Sequence, residues 1–503
     1  MFENQPKGLY ALALANTGER FGYYTMLAVF ALFLRANYGL TPGTEGIIYS
    51  SFLMFVYFFP LIGGFMADKF GFGKMVTTGI LIMFAGYLLL SVPLGGDSFA
   101  LIVMLAALVG IGFGTGLFKG NLQVMVGDLY NDPKYADKRD SGFSIFYMAI
   151  NLGALFAPTA AIRIMEWAQQ SLGVSENDSY HFAFAVACAS LILSIAIYYA
   201  FRSTFRHVEG GKKKEGDAVV EDTLTPAETK ERLIALILVF GVVAFFWMSF
   251  HQNGLSLTYF ANEFTEQSAE GIKAMAFNVW NLVAIIFMVY SAFSIFQGKT
   301  AKSRIIAVLV MVAALAFLGY NYGMLDGSVE VKAPIFQQFN PFYVVALTPV
   351  SLALFGWLAA RGKEPKAPRK IAYGMIVAAV AFCLMLYASL TLPSPTEQAA
   401  LGDAAPRVSS YWLISTYLIL TFGELLLSPM GISFVSKVAP PKYKGACMGG
   451  WFVSTAIGNQ LVMVGGILWG DLPLWSVWAV FACLCILAAL FMFSIMKRLE
   501  KVC

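Results

Sequence analysis

Fourteen stretches of mainly apolar residues run along the chain, each long enough for the ~20 residues that a helix needs to cross hydrocarbon. They predict helices at 8–35, 45–67, 75–94, 98–128, 141–166, 181–202, 231–261, 271–296, 303–323, 333–360, 371–391, 409–436, 446–470 and 474–497. An even number puts both termini on one side. One polar segment, 203–230, interrupts the series with the run Gly210-Gly-Lys-Lys-Lys-Glu-Gly-Asp217, which reads as a solvated linker. It separates six helices (1–202) from eight (231–503).

Composition agrees. Of 503 residues 58% are apolar and 13% charged, with a net charge of +4 and a mean hydropathy of +0.69. A soluble domain has about 25% charged residues, so lipid must supply the remaining solvent. The charges sort by loop: 27 of the 34 Lys and Arg residues lie on one side, and Arg35, Lys273, Lys332 and Arg407 on the other. Arg20, Lys119 and Arg163 fall within helices. The positive-inside rule makes the first side cytoplasmic, with both termini there.

No basic face suits a nucleic acid. The six cysteines (188, 383, 447, 483, 485 and 503) have neither disulfide nor zinc spacing, and no metal or cofactor is expected. The apolar stretch after Lys7 lacks a small-residue cleavage site and reads as a first membrane helix. Glycines spaced as Gly110-Ile-Gly112-Phe-Gly114-Thr-Gly116 sit inside an apolar helix and predict close helix packing, not a phosphate loop.

The candidate chemistry is the set of ionisable groups at membrane depth: Glu19, Arg20, Lys119, His251 and Glu424. Each costs about 2.5–3.5 kcal/mol at the bilayer centre and must face a bundle interior or a watery cavity. Arg163 and Asp128 lie near helix ends, where they can snorkel. Asn16, Glu19, Arg20, Tyr23 and Leu27 form one stripe at helical spacing. Glu19 and Arg20 are either a packing ion pair or part of a site. Lys119 adds a cation that this carboxylate only partly offsets, which points to an anionic guest. Glu424, with Ser428 one turn on, either accepts structural hydrogen bonds or holds an ammonium group or a proton. His251 is either a helix contact or a titrating group; His181 and His207 carry no signal.

These residues and their neighbours resemble the proton-dependent oligopeptide transporter family of the major facilitator superfamily. The resemblance rests on Glu19-Arg20-Phe21-Gly22-Tyr23-Tyr24, Gly64-Phe-Met-Ala-Asp68-Lys69-Phe-Gly71, Phe118-Lys119-Gly120-Asn121, and Phe146-Tyr147-Met-Ala-Ile150-Asn151-Leu-Gly153. In the second half Phe246-Trp247 with Gln252 and Gly254, Gln337-Gln-Phe-Asn340-Pro341, Gly423-Glu424-Leu-Leu-Leu-Ser428-Pro429, Gly449-Gly-Trp451-Phe452 and Gly458-Asn459 agree too. The resemblance implies an all-α membrane protein of two six-helix bundles, 1–202 and 231–503, with an inserted hairpin at 271–323. It further implies import of di- and tripeptides with protons across the inner membrane by alternating access, without enzymatic activity, cofactor or obligatory protein partner.

By resemblance, Arg20 and Lys119 receive the peptide carboxylate, with Tyr23, Tyr24 and Tyr57 nearby. Asn151, Asn340 and Glu424 hold its amino end, and Trp247, Ser428, Trp451 and Phe452 line side-chain pockets. Glu19, Arg20, Lys119, His251 and Glu424 form the proton-coupling set. The departures are Asn16 and His251 where the family carries carboxylates, Leu27 in place of a second arginine, Gly120 in place of proline, and a hairpin placed after the seventh helix. They leave open altered or absent proton coupling, or another anionic or zwitterionic solute.

Overall fold

The computed structural model describes residues 5–210, 224–298 and 300–502. Among the described residues the architecture is helical, apart from one antiparallel pair, Ser268–Ala269 with Val329–Glu330, and an isolated parallel bridge between Thr265 and Val408. The long helices are α1 (Lys7–Tyr38), α2 (Pro42–Phe70), α3 (Phe72–Ser91), α4 (Ser98–Asp128), α5 (Arg139–Leu172), α6 (Glu176–Ala200) and α7 (Pro226–Phe250). They continue as α8 (Val279–Gln297), α9 (Ala301–Gly323), α10 (Phe339–Ala359), α11 (Ala367–Ala388), α12 (Tyr411–Val438), α13 (Lys444–Leu461) and α14 (Leu474–Ser494). Among the described residues twelve segments are long and apolar enough to cross a membrane. The other two long helices are α1, which carries Glu19 and Arg20 mid-length, and α13, which breaks at Val462 before a short helix, Met463–Ile467. The chain is a multi-pass membrane protein.

Local chemistry sets the ends. Thr41, Asp97, Ser175 and Thr300 accept hydrogen bonds from backbone N–H groups of the first turns of α2, α4, α6 and α9, filling donors a helix start leaves open. Thr225 and Glu228 form a capping box at α7. Helix therefore begins at Pro226, inside the segment 203–230 expected to be linker, and two short 3₁₀ turns (Arg202–Thr204 and Arg206–Val208) occupy its start; residues 211–223 lie outside the described residues. Besides 446–470, which breaks at Val462, three predicted spans are broken. The 231–261 helix has a 3₁₀ turn at His251–Gly254 before a short helix, Ser256–Glu263. The 271–296 helix splits into Gly271–Met275 and α8, with Asn278 capping α8 through its side chain. The 333–360 helix opens as a 3₁₀ turn, Ala333–Gln338.

The chain divides into two compact units: residues 1–255, 431–468 and 494–503, and residues 256–430 and 469–493. In the first, α4 packs on α2 and α3, α1 on α5 and α6, and α13 on α2 and α7. The glycine repeat of α4 does what its spacing predicts at three of its four positions. A Cβ on Gly114 would lie 2.6 Å from the Gly79 carbonyl, one on Gly116 2.5 Å from the Phe59 Cβ, and one on Gly112 3.0 Å from the Phe55 Cβ; Gly110 faces open space. In the second unit α8 packs on α9 and α10, and Gly374 of α11 meets Gly423 of α12 across a crossing that leaves 3.0 Å for a Cβ. Backbones approach this closely where van der Waals packing joins helices in lipid. Large apolar residues such as Phe296, Ile305 and Leu309 are exposed, as a lipid-facing surface requires.

Candidate functional site

In the first unit the polar stripe of α1 is fully interior: Asn16, Glu19, Arg20, Tyr23 and Leu27 are all buried. Glu19 and Arg20 are adjacent in sequence, yet their side chains bend together. The Arg20 guanidinium donates from both Nε and Nη2 to the two Glu19 carboxylate oxygens, the second bond measuring 2.6 Å. This two-point geometry is strong and directional, and it leaves the guanidinium face over the Tyr23 ring at 4.4 Å, with Tyr24 at 6.0 Å. Lys119 comes from α4, one turn beyond the glycines that draw α4 against α2. Its ammonium sits 4.0 Å from the centre of the Tyr57 ring, a cation–π contact, and it makes no ion pair among the described residues.

Tyr57 also faces His251, ring centres 6.2 Å apart. His251 stands where α7 loosens into the 3₁₀ turn. Its Nδ1–H donates to the Asn459 Oδ1 of α13 at 2.6 Å, and its ring stacks on Trp247 at 5.2 Å and 21°. Gln252 steadies the turn by donating to the Met248 and Val462 carbonyls. Gly458 allows α13 to approach, since a Cβ there would meet the Trp247 Cβ at 2.9 Å. The Trp247 indole N–H is buried without a partner. Trp451 of α13 is buried and lies against Gly431, while Phe452 is half-buried. Asn151 is buried and donates back to the Tyr147 carbonyl at 3.0 Å.

In the second unit Asn340, in the first turn of α10, donates to a Glu424 carboxylate oxygen at 3.0 Å and to the Thr421 hydroxyl at 3.1 Å. Glu424 is buried and pairs with no cation among the described residues. Ser428 follows one turn on, half-buried, before Pro429, which sits inside α12. The predicted residues are thus grouped as Glu19–Arg20–Tyr23–Tyr24, Lys119–Tyr57–His251–Trp247 and Asn340–Glu424. Sequence reasoning missed Thr421 as a partner, although it lies three residues before Glu424 on the same helical face. It also gave no role to Asn459, the partner of His251. Arg163 is exposed and bonded to Glu166, but it lies inside α5, which runs on to Leu172, and not near a helix end as expected.

The geometry presents, in one unit, an ammonium held on an aromatic face and, in the other, a carboxylate held by neutral donors. Similarities to known proteins place the chain. The 28% identical "uncharacterized transporter YclF" of Bacillus subtilis aligns over 92% of this chain and 87% of its own length. A di-/tripeptide transporter of Lactococcus lactis subsp. lactis is 26% identical over 92% of this chain and 89% of its own. Among solved structures, a peptide transporter POT in complex with sulfate superposes with a TM-score of 0.74 at 23% identity, covering 100% of this chain and 96% of that one; this likeness supports the major facilitator fold. A profile described as the POT family matches residues 73–225 and 321–465, more than half of the sequence, and the chain belongs to the POT family.

Proposed function

We propose that the chain imports di- and tripeptides across the inner membrane by alternating access, coupled to protons. The observation that carries this is a pair of unneutralised charges: the Lys119 ammonium in the first unit and the Glu424 carboxylate in the second, each without an ion-pair partner among the described residues. An isolated charge at membrane depth is expensive unless function retains it. The ammonium suits a ligand's carboxylate and the carboxylate a ligand's ammonium, the two kinds of terminus that a peptide carries. The naming of the Lactococcus relative as a di-/tripeptide transporter supports a peptide as that solute.

In this reading Arg20 and Lys119 receive the carboxylate, beside Tyr23, Tyr24 and Tyr57. Asn151, Asn340 and Glu424 receive the amino end, and Trp247, Ser428, Trp451 and Phe452 contact side chains. Residues 1–202 and 231–503 act as the two bundles, 203–230 as the connection, and both termini face the cytoplasm. Glu19 is the proton-linked group of α1. A proton there weakens its hold on Arg20, freeing the guanidinium for substrate; substrate carboxylate and Glu19 thus compete for one cation. Glu424, His251 and Lys119 complete the coupling set.

A second reading, transport with altered coupling, is favoured by the His251–Asn459 bond, in which an imidazole is held by a neutral amide. Binding separates the parts: the purified protein should bind a dipeptide, and amidation of the peptide C-terminus should abolish binding in wild type but matter little after Lys119→Gln. Equal binding of acid and amide by wild type overturns the assignment of the carboxylate site.

A further inference from the structure

The hairpin of α8 and α9 has no part in the proposed transport chemistry, yet a groove of about 450 Å³ runs between its helices beside the turn that joins them. That is in the size range of small-molecule sites. Its polar end is made by Ser294, Thr300, Lys302 and Ser303; its far end is closed by Phe287, Ile306 and Val310, with Tyr290 on the wall.

Three features identify an occupant. Charge gathers at the turn. Lys302 is exposed and has no ion-pair partner among the described residues, and Arg304 is fixed beside it by donating from Nε to the Gly298 carbonyl at 2.9 Å. Hydroxyls lie beneath, with the Ser294 and Ser303 oxygens 3.4 Å apart. Beyond them the groove turns apolar and continues onto a surface that hydrocarbon must cover: Phe287 is 55% exposed, Ile306 51% and Leu309 64%. From Lys302 to Val310 is eight helical residues, about 12 Å, close to the depth of one leaflet of a ~30 Å hydrocarbon core. A ligand with an anionic head at the turn and an apolar tail along the hairpin matches this order; a soluble anion would leave the apolar end empty.

We infer that the groove between α8 and α9 is a binding site for an anionic phospholipid, its phosphate at Lys302 and the serine hydroxyls and an acyl chain against Phe287, Ile306 and Val310. The charge sorting of the loops puts the turn on the side where anionic headgroups attract juxtamembrane cations.

Native mass spectrometry of the full-length protein, released from nanodiscs of equal phosphatidylglycerol and phosphatidylcholine, reads the site directly. Wild type should retain phosphatidylglycerol over phosphatidylcholine by about fivefold, the factor one lysine supplies near an anionic surface. Lys302→Gln should abolish the preference, and Ser294→Phe, which fills the groove, should lower retention of both lipids while dipeptide binding is unchanged. An unaltered preference in Lys302→Gln overturns the proposal. So does displacement of the lipid by inorganic phosphate, which would make a soluble anion the ligand. Conversion of a wild-type dimer to monomer by Ser294→Phe also overturns it, since a second copy would then cover the groove.

Discussion

Replacing Glu424 by glutamine removes one negative charge and almost nothing else. The amide oxygen can still accept the Asn340 bond that spans 3.0 Å in the native protein, and Thr421 keeps its own bond to Asn340. The position is buried, so water replaces the lost interaction poorly. An ammonium donating to a buried carboxylate is a charge-assisted bond, worth about 1.5–3 kcal/mol when one partner is neutralised. At 1.4 kcal/mol per decade this is about a 10- to 100-fold loss of dipeptide affinity. The assay is competition binding with a free dipeptide and its N-acetyl derivative. Wild type should prefer the free amine by that factor, and Glu424→Gln should bind the two alike, with acetyl-peptide affinity unchanged. If the variant still prefers the free amine as strongly as wild type, Glu424 does not hold the amino end. A fall in affinity for both ligands alike would instead mark Glu424 as a packing residue.

Other expectations follow from the same geometry. His251→Gln retains a donor for Asn459 but cannot take up a proton. Uptake should therefore lose its response to an imposed pH gradient while peptide counterflow persists; an unchanged, wild-type response refutes the role. Gly116→Leu forces bulk where a Cβ already meets Phe59 at 2.5 Å. Overpacking of this kind costs about 1–3 kcal/mol, so the melting temperature in detergent should fall, whereas Gly110→Leu, which faces open space, should leave it unchanged. Glu209→Gln should lower stability by under about 1 kcal/mol, because the Arg202 it binds is 43% exposed and solvent screens the pair.

The fourteen helices were legible because each needs a long apolar run, and the loop charges checked the count independently. The breaks were not. His251–Gly254 and Asn278 are short polar interruptions in stretches that stay long and apolar enough on the whole to read as one span each, so a window of hydropathy does not register the break. Helix ends marked by local chemistry, such as Asp97 before α4, came out where the sequence puts them; Pro226 was missed because the charged residues after it disguise the first turn. The stripe Asn16–Leu27 was readable from spacing alone. The partners of Lys119 and His251 were not, since Tyr57 is 62 residues from Lys119 and Asn459 is 208 from His251. Pairings at that range are decided by helix packing, and single residues carry no record of them. Cargo was legible only through family motifs, because an Arg, a Lys and a Glu in apolar helices specify opposite charges but not what stands between them.

Transport itself is the most direct test. Purified protein in liposomes, given a labelled dipeptide outside and an inward proton gradient, should accumulate it above the external concentration. Collapsing the gradient should abolish accumulation but leave equilibration intact. Accumulation that ignores the gradient would contradict proton coupling, and failure to move any dipeptide, with or without a gradient, would contradict the account as a whole.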